Sequence, residues 1–268
     1  MKTYHRQSGV PKFFSQEYKE KRHEYVLLIP VINEGNRLLH ELYRAKAAGI
    51  SEVIDIVICD GGSTDASVSD DFLIPLDVNT LLIKEDAGKQ GAQLRMGIWW
   101  ALQRGYKGIV TIDGNDKDSI EDVPQFIDKL KNGYDFIQGS RFISGGRAIH
   151  TPLIRYWAVR LIHAPVISLT ARHWFTDTTN AYRGYSADYL RDMRVQPLRD
   201  IFSGYELLAY LSVRASQLGY KVCEIPVTRK YPASGAVPTK IKFFRGNREL
   251  LVILFKNLCG CYAPRGET

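Results

Sequence analysis

Short runs of almost unbroken apolar residues recur along the chain, and each one stops at a turn or a polar cluster. Tyr25 to Pro30 (YVLLIP), Val53 to Cys59 (VIDIVIC), the shorter Thr80 to Ile83, Gly108 to Ile112 (GIVTI) and Tyr134 to Gln138 form the series. Strands buried on both faces read this way, whereas a strand with one wet face alternates. Helical stretches lie between them: one from about Asn33, one through Leu94, Ile98, Ala101 and Leu102, and one over Ile120 to Leu130. The alternation predicts an α/β fold, a mainly parallel central sheet with helices on both faces, binding its ligands outside the carboxyl ends of the strands. Polar clusters fall at that edge: Asn33-Glu34 after the first run, Asp60 to Asp65 after the second, Asp113 to Asp118 after the fourth.

Beyond Arg141 the regular pattern ends. Thr151 to Thr170 is apolar with Arg155, Arg160 and His163 interspersed, and Pro165 predicts a break or bend in any helix there. Phe202 to Leu218 reads as a helix, Tyr220 to Val227 as a strand and Lys240 to Leu258 as an amphipathic helix. Residues 1–23 carry Lys2, His5, Arg6, Lys12, Lys19, Lys21 and Arg22 without apolar periodicity, which predicts a basic, weakly structured arm. The expected organisation is therefore this arm, a single domain over residues 24–235, and an amphipathic tail over 236–268. In that tail Phe243, Phe244, Leu250, Leu251, Ile253, Leu254, Phe255 and Leu258 stand among Lys240, Lys242, Arg245, Arg248 and Lys256. Such a helix suits either a lipid interface or the protein's own core. The longest apolar run, Leu250 to Phe255, is far below the roughly 20 residues that span a bilayer.

Composition narrows the partners. A 268-residue chain with 45% hydrophobic content can bury a substantial core, and 24% charged residues is ordinary for a globular body. The formal charge of +7 favours an anionic partner, whether nucleic acid, acidic lipid or a phosphorylated sugar. No nucleic-acid recognition motif accompanies it, and no G-x-G-x-x-G follows the first strand as a dinucleotide oxidoreductase requires. Four scattered cysteines without an apolar leader after Met1 predict reduced thiols and a cytoplasmic protein.

The ordered motifs VLLIPVINEG, VICDGGSTDAS, AGKQGAQLRMG, VTIDGNDKD, YDFIQGSRF and TDTTNAYRGY resemble glycosyltransferase family 2, especially its dolichol-phosphate (polyprenyl-phosphate) mannose synthase branch. The resemblance spans about residues 25–235 and implies a fold of the GT-A type, a nucleotide-sugar donor and inversion at the anomeric carbon. It implies that Pro30, Asn33, Glu34 and Asp60 line the nucleoside pocket with Gly114 and Asn115 nearby, and that Lys89 and Arg95 stand on its rim. Arg141 in GSRF and Arg183 in NAYRGY match arginines that the synthases use on phosphate, and a guanidinium fork suits that task. Lys240, in a segment resembling the synthases' mobile acceptor loop, would join them on the acceptor.

In the family a D-x-D turn holds Mg or Mn on the diphosphate through hard oxygen ligands. Here Asp113 matches the first carboxylate, Asn115 replaces the second, and Lys117 stands where related synthases often carry a glutamine. Asp116 is one residue out of register and should point elsewhere. A hydroxyl acceptor would need a base, for which Asp177 is the candidate by motif position and Glu206 the second, while a lipid phosphate needs none. The expected enzyme is an inverting hexosyltransferase acting on a polyprenyl phosphate at a membrane surface. The alternatives are a sugar-hydroxyl acceptor in glycan assembly, or a nucleotide-sugar-binding protein without activity.

Overall fold

The protein is described by a computed structural model over residues 2–233 and 243–264. Its strands are β1 (Lys2–Gln7), β2 (Val10–Glu17), β3 (Tyr25–Val31), β4 (Asp55–Asp60), β5 (Thr80–Lys84), β6 (Gly108–Thr111), β7 (Phe136–Ser140), β8 (Arg147–Ile149), β9 (Arg183–Ser186), β10 (Val222–Pro226) and β11 (Thr228–Lys230). The helices are α1 (Asn36–Ala47), α2 (Asp70–Leu73), α3 (Gln90–Gln103), α4 (Val123–Lys131), α5 (Leu153–Ala158), α6 (Ala164–Ala171), α7 (Ala187–Arg191), α8 (Glu206–Gln217) and α9 (Phe243–Leu258).

Nine strands form one sheet in the order β1-β2-β5-β4-β3-β6-β9-β7-β10. Its centre, β5-β4-β3-β6, is parallel, and every residue of β3 and β4 is buried, as their unbroken apolar runs require. One core cluster on one side of the sheet packs α3, α6 and α8, and a second on the other side packs α1 and α4. The chain winds outward from β3 through β4 to β5 and then returns to place β6 on the other side of β3. That reversal creates a crevice at the carboxyl ends of β3 and β6.

Pro30 shows how the crevice opens. The β6 ladder ends at Leu28↔Thr111, with Ile112 N donating to Leu28 O, while Val31 O accepts from Gly61 N on the β4 side. By alternation Pro30 faces β6 just past the last pair, where its missing N–H interrupts no ladder.

Three sequence expectations need correction, the third only in part. Residues 1–23 are not a loose arm: β1 and β2 form a hairpin that pairs antiparallel with β5 and extends the sheet, with Val10 and Phe13 buried beneath it. The amphipathic C-terminal helix is not a separate tail, because α9 packs on α6 and α8 through Ile253 and Leu254. The stretch around Pro165 is irregular and not severed: α5 passes without a gap through a π-helical turn, Val159–His163, into α6, and that turn lies just before Pro165, whose ring and missing N–H disrupt regular α-helical pairing.

Candidate active site

The crevice is floored by the turn that leaves β6. Gly114 lies flat against β3, since a Cβ there would come within 2.5 Å of Val31 Cγ1 and 2.9 Å of Ile29 Cγ2. Asp113 Oδ1 accepts from Gln90 Nε2 at 2.7 Å, tying the turn to the first residue of α3, and Asp113 Oδ2 accepts from Arg229 Nη2 at 3.1 Å. Burial alone would raise the Asp113 carboxyl, but Arg229, Lys117 and the Gln90 hydrogen bond hold it below the usual carboxylate range. Asn115 Oδ1 is buried without a hydrogen-bond partner among the described residues.

Asp116 turns away, as its register predicts. Its backbone is left-handed (φ 56°), and its carboxylate binds His40 Nδ1 at 2.6 Å and Arg44 Nη1 at 2.8 Å on α1. Beneath it the buried Glu41 accepts from Asp116 N at 2.9 Å, and burial pushes its carboxyl well up. Asp118 is fully buried and paired with Arg229 Nη1, yet its other oxygen has no partner among the described residues, and burial pushes its carboxyl up to about 6. Arg229 thus bridges Asp113 and Asp118 from the middle of β11, and nothing in the sequence motifs singled it out. Tyr231 follows it, with Lys117 Nζ 5.4 Å and the Arg229 guanidinium 5.8 Å from its ring centre. Arg155 Nη1 donates to the Tyr231 hydroxyl at 2.9 Å. Burial would raise that hydroxyl, but Arg229, Arg155 and Arg141 bring it below the ordinary phenol value.

Other expected residues border the same crevice. Asn33, held left-handed (φ 49°), accepts at Oδ1 from Thr64 N at 2.7 Å, which joins the β3 and β4 loops. Glu34 pairs with Arg37 at 2.8 Å, and Asp60 is buried as the cap of its own turn, accepting from Ser63 N and Oγ. Asp60 stands opposite Val31 in the sheet, so both acidic loops open on one edge. Lys89 is exposed and ion-paired with Glu249 of α9 at 2.7 Å.

Five expected site residues are engaged within the protein. Arg95 is buried and donates to the carbonyls of Phe202, Gly9 and Leu198, away from the rim. Arg183 is almost wholly buried and donates to the carbonyls of Asn180, Thr178 and Leu208 and to Ser212 Oγ, so it braces β9 and α8 instead of gripping phosphate. Arg141 makes a two-pronged pair with Asp177, Nε to Oδ2 at 2.6 Å and Nη2 to Oδ1 at 2.9 Å, and bonds Thr179 Oγ1 as well. Asp177, fully buried in this pair, is held below the usual carboxylate range by Arg141 against its burial, with both carboxylate oxygens engaged. Glu206 caps its own helix entrance, accepting from Gly204 N at 2.6 Å. Lys240 lies outside the described residues.

No protein-family profile matches the chain. It is 29% identical over 207 residues to an undecaprenyl-phosphate mannosyltransferase of Micrococcus luteus, covering 75% of this chain and 81% of that one. It is 27% identical to a polyprenol monophosphomannose synthase of Mycolicibacterium smegmatis, with 76% of each chain covered. Among solved structures, glucosyl-3-phosphoglycerate synthase of Mycobacterium tuberculosis, crystallised with Mn2+, UDP and glucosyl-3-phosphoglycerate, superposes with a TM-score of 0.63. The identity is 12%, over 88% of this chain and 80% of that one. That likeness establishes the GT-A fold.

Proposed function

From the premise that the chain is a glycosyltransferase similar to the polyprenyl-phosphate mannose synthases, we propose that it moves a hexosyl unit from a nucleotide sugar to a polyprenyl phosphate, with inversion. The observation that carries this reading is Asp113 at the carboxyl end of β6, beside the β3/β6 reversal, under two buried cations. A departing nucleoside diphosphate carries about three negative charges, and stabilising them is the principal demand of the reaction.

In this reading Asn33, Glu34 and Asp60 face the nucleoside, while Asp113 and Asn115 would hold Mg or Mn if such an ion enters. The residues fit such an ion in part: a buried carboxylate stands next to an amide oxygen that lacks a partner, although Arg229 shares the carboxylate. When bound, the ion neutralises diphosphate oxygens as a Lewis acid. Arg229 and Lys117 lie on the phosphate side of the turn, and the burial of this end of the sheet keeps the attraction strong. The acceptor phosphate is already an anion, so no group has to remove its proton. This agrees with the engagement of Asp177 by Arg141.

The acceptor would approach from a membrane surface. Leu153, Ile154, Trp157, Leu161, Leu169 and Trp174 are exposed on and after the α5–α6 segment, with Leu251, Val252, Phe255 and Leu258 on the adjoining α9. Isolated exposed leucines need no explanation, but this many on the α5–α6 segment and on α9, which packs against α6, with Arg160, Arg172 and Lys256 on the same elements, suits an anionic lipid interface. Among the described residues no helix is long and apolar enough to cross a membrane.

The test is a screen of GDP- and UDP-sugars against a polyprenyl phosphate, reading nucleotide release and product extracted into organic solvent. Lipid-extractable product that requires the polyprenyl phosphate is the expected outcome. Transfer only to an oligosaccharide, with product left in water, would assign a hydroxyl acceptor instead.

A further inference from the structure

The cations around Asp113 are unusual for a site whose donor charge a divalent ion is expected to balance. Arg229 holds Asp113 and Asp118 together, and both it and Lys117 lie over the same face-lining ring, Tyr231. Where a D-x-D turn offers two carboxylates to a metal, this turn offers one carboxylate and the neutral Asn115, and it adds the ammonium of Lys117 two residues later. Both changes move the turn's charge in the same direction, weaker for a cation and stronger for an anion. Among the described residues no group of three or more His, Cys, Asp or Glu side chains could hold a metal ion. Arg229 is anchored for this role. Its Nη1 is held by Asp118 and its Nη2 donates to Asp113, so the guanidinium is fixed beside the carboxylate that follows β6, and a phosphate arriving there would share it with Asp113.

We propose that Arg229 and Lys117 supply built-in positive charge for the donor's diphosphate, so that a nucleoside diphosphate binds this site without any divalent ion. The inference rests on reading the 113–118 turn as the diphosphate site. A guanidinium fork already held in place binds phosphate oxygens with little reorganisation, and a buried ammonium beside it adds a second contact without a fixed geometry. The same two groups oppose a divalent ion entering at Asp113, so removing either one should trade anion affinity for metal affinity.

The test is calorimetric titration of the full chain with GDP and with UDP, in excess Mg2+ and in EDTA, together with Mn2+ alone followed by electron paramagnetic resonance. For the nucleotide that binds with Mg2+, the wild-type affinity in EDTA is expected to fall by no more than about tenfold. Lys117→Gln, which leaves the Arg229–Asp118 pair intact, should lose a further tenfold or so in EDTA and bind Mn2+ more tightly. Arg229→Lys should weaken EDTA binding while retaining a charge opposite Asp118, which keeps the fold. Binding with Mg2+ that disappears in EDTA overturns this inference and leaves the donor site standing. Lys117→Gln and Arg229→Lys proteins that bind like wild type in EDTA also overturn it. No binding of either nucleotide under any condition overturns the donor site and this inference together.

Discussion

Asp177 is the residue for which motif and structure make opposite predictions. Motif position nominates it as a base, and its surroundings make it half of a buried ion pair. Side-chain exposure is 2% for Arg141 and 0% for Asp177, and three hydrogen bonds join them, from Arg141 N, Nε and Nη2. Asp177→Ala would strand a guanidinium in the interior with only Thr179 Oγ1 left to it. Removing one partner of such a pair costs about 3–5 kcal/mol, most of it the penalty of an uncompensated buried charge. In a chain of this size that lowers the melting temperature by on the order of 10 °C. Because the penalty is the stranded charge, the double replacement Arg141→Met with Asp177→Leu should recover most of the loss. Urea denaturation of the two single variants and the double variant, with unchanged slope, measures the coupling directly. A stable Asp177→Ala protein that has lost only its activity would refute the reasoning and restore Asp177 as a base.

Two further outcomes follow from buried or exposed groups. His163 is buried against Thr178 Oγ1 at 2.7 Å, and burial, assisted by Arg183, pushes its imidazole down to about 4. The folded state therefore resists a proton that the unfolded chain accepts from about pH 6.5 downward. The His163 contribution is fully present above that pH and is lost as pH falls toward 4, a change of about 3 kcal/mol, and His163→Gln should flatten the stability profile over that window. At the apolar face, Trp157→Glu combined with Leu161→Glu should abolish co-flotation with phosphatidylglycerol vesicles while leaving thermal stability within about 1 kcal/mol, since both side chains are exposed. Undiminished flotation would remove that face as the lipid contact.

The central strands were legible because burial on both faces leaves an unbroken apolar signature, and YVLLIP and VIDIVIC became β3 and β4 within one or two residues of their expected ends. The β1–β2 hairpin was not, because an edge hairpin needs only a few inward residues. Val10 and Phe13 are separated by Pro11 and Lys12, too short and irregular an apolar spacing to stand out from a solvated arm. β9 escaped for a related reason: it is four residues, RGYS, pinned antiparallel between β6 and β7 by pairing that no local pattern announces. The site divides in the same way. Asp113, Asn33 and Asp60 follow strands directly, so topology alone puts them at the binding edge. The partners of an arginine depend on distant backbone, and so Arg183, attractive by motif, is consumed by carbonyls. Arg229, without a motif, arrives at Asp113 across 116 residues of sequence.

For the proposed transfer a nucleoside diphosphate must lie at the turn after β6. Crystals grown with Mn2+ and the nucleotide selected by the donor screen measure this directly. The diphosphate is expected within hydrogen-bonding reach of Arg229, with any manganese anomalous signal between Asp113 and Asn115 and the base toward Asp60. A nucleotide bound elsewhere, with Asp113 still held only by Arg229 and Gln90, would contradict it.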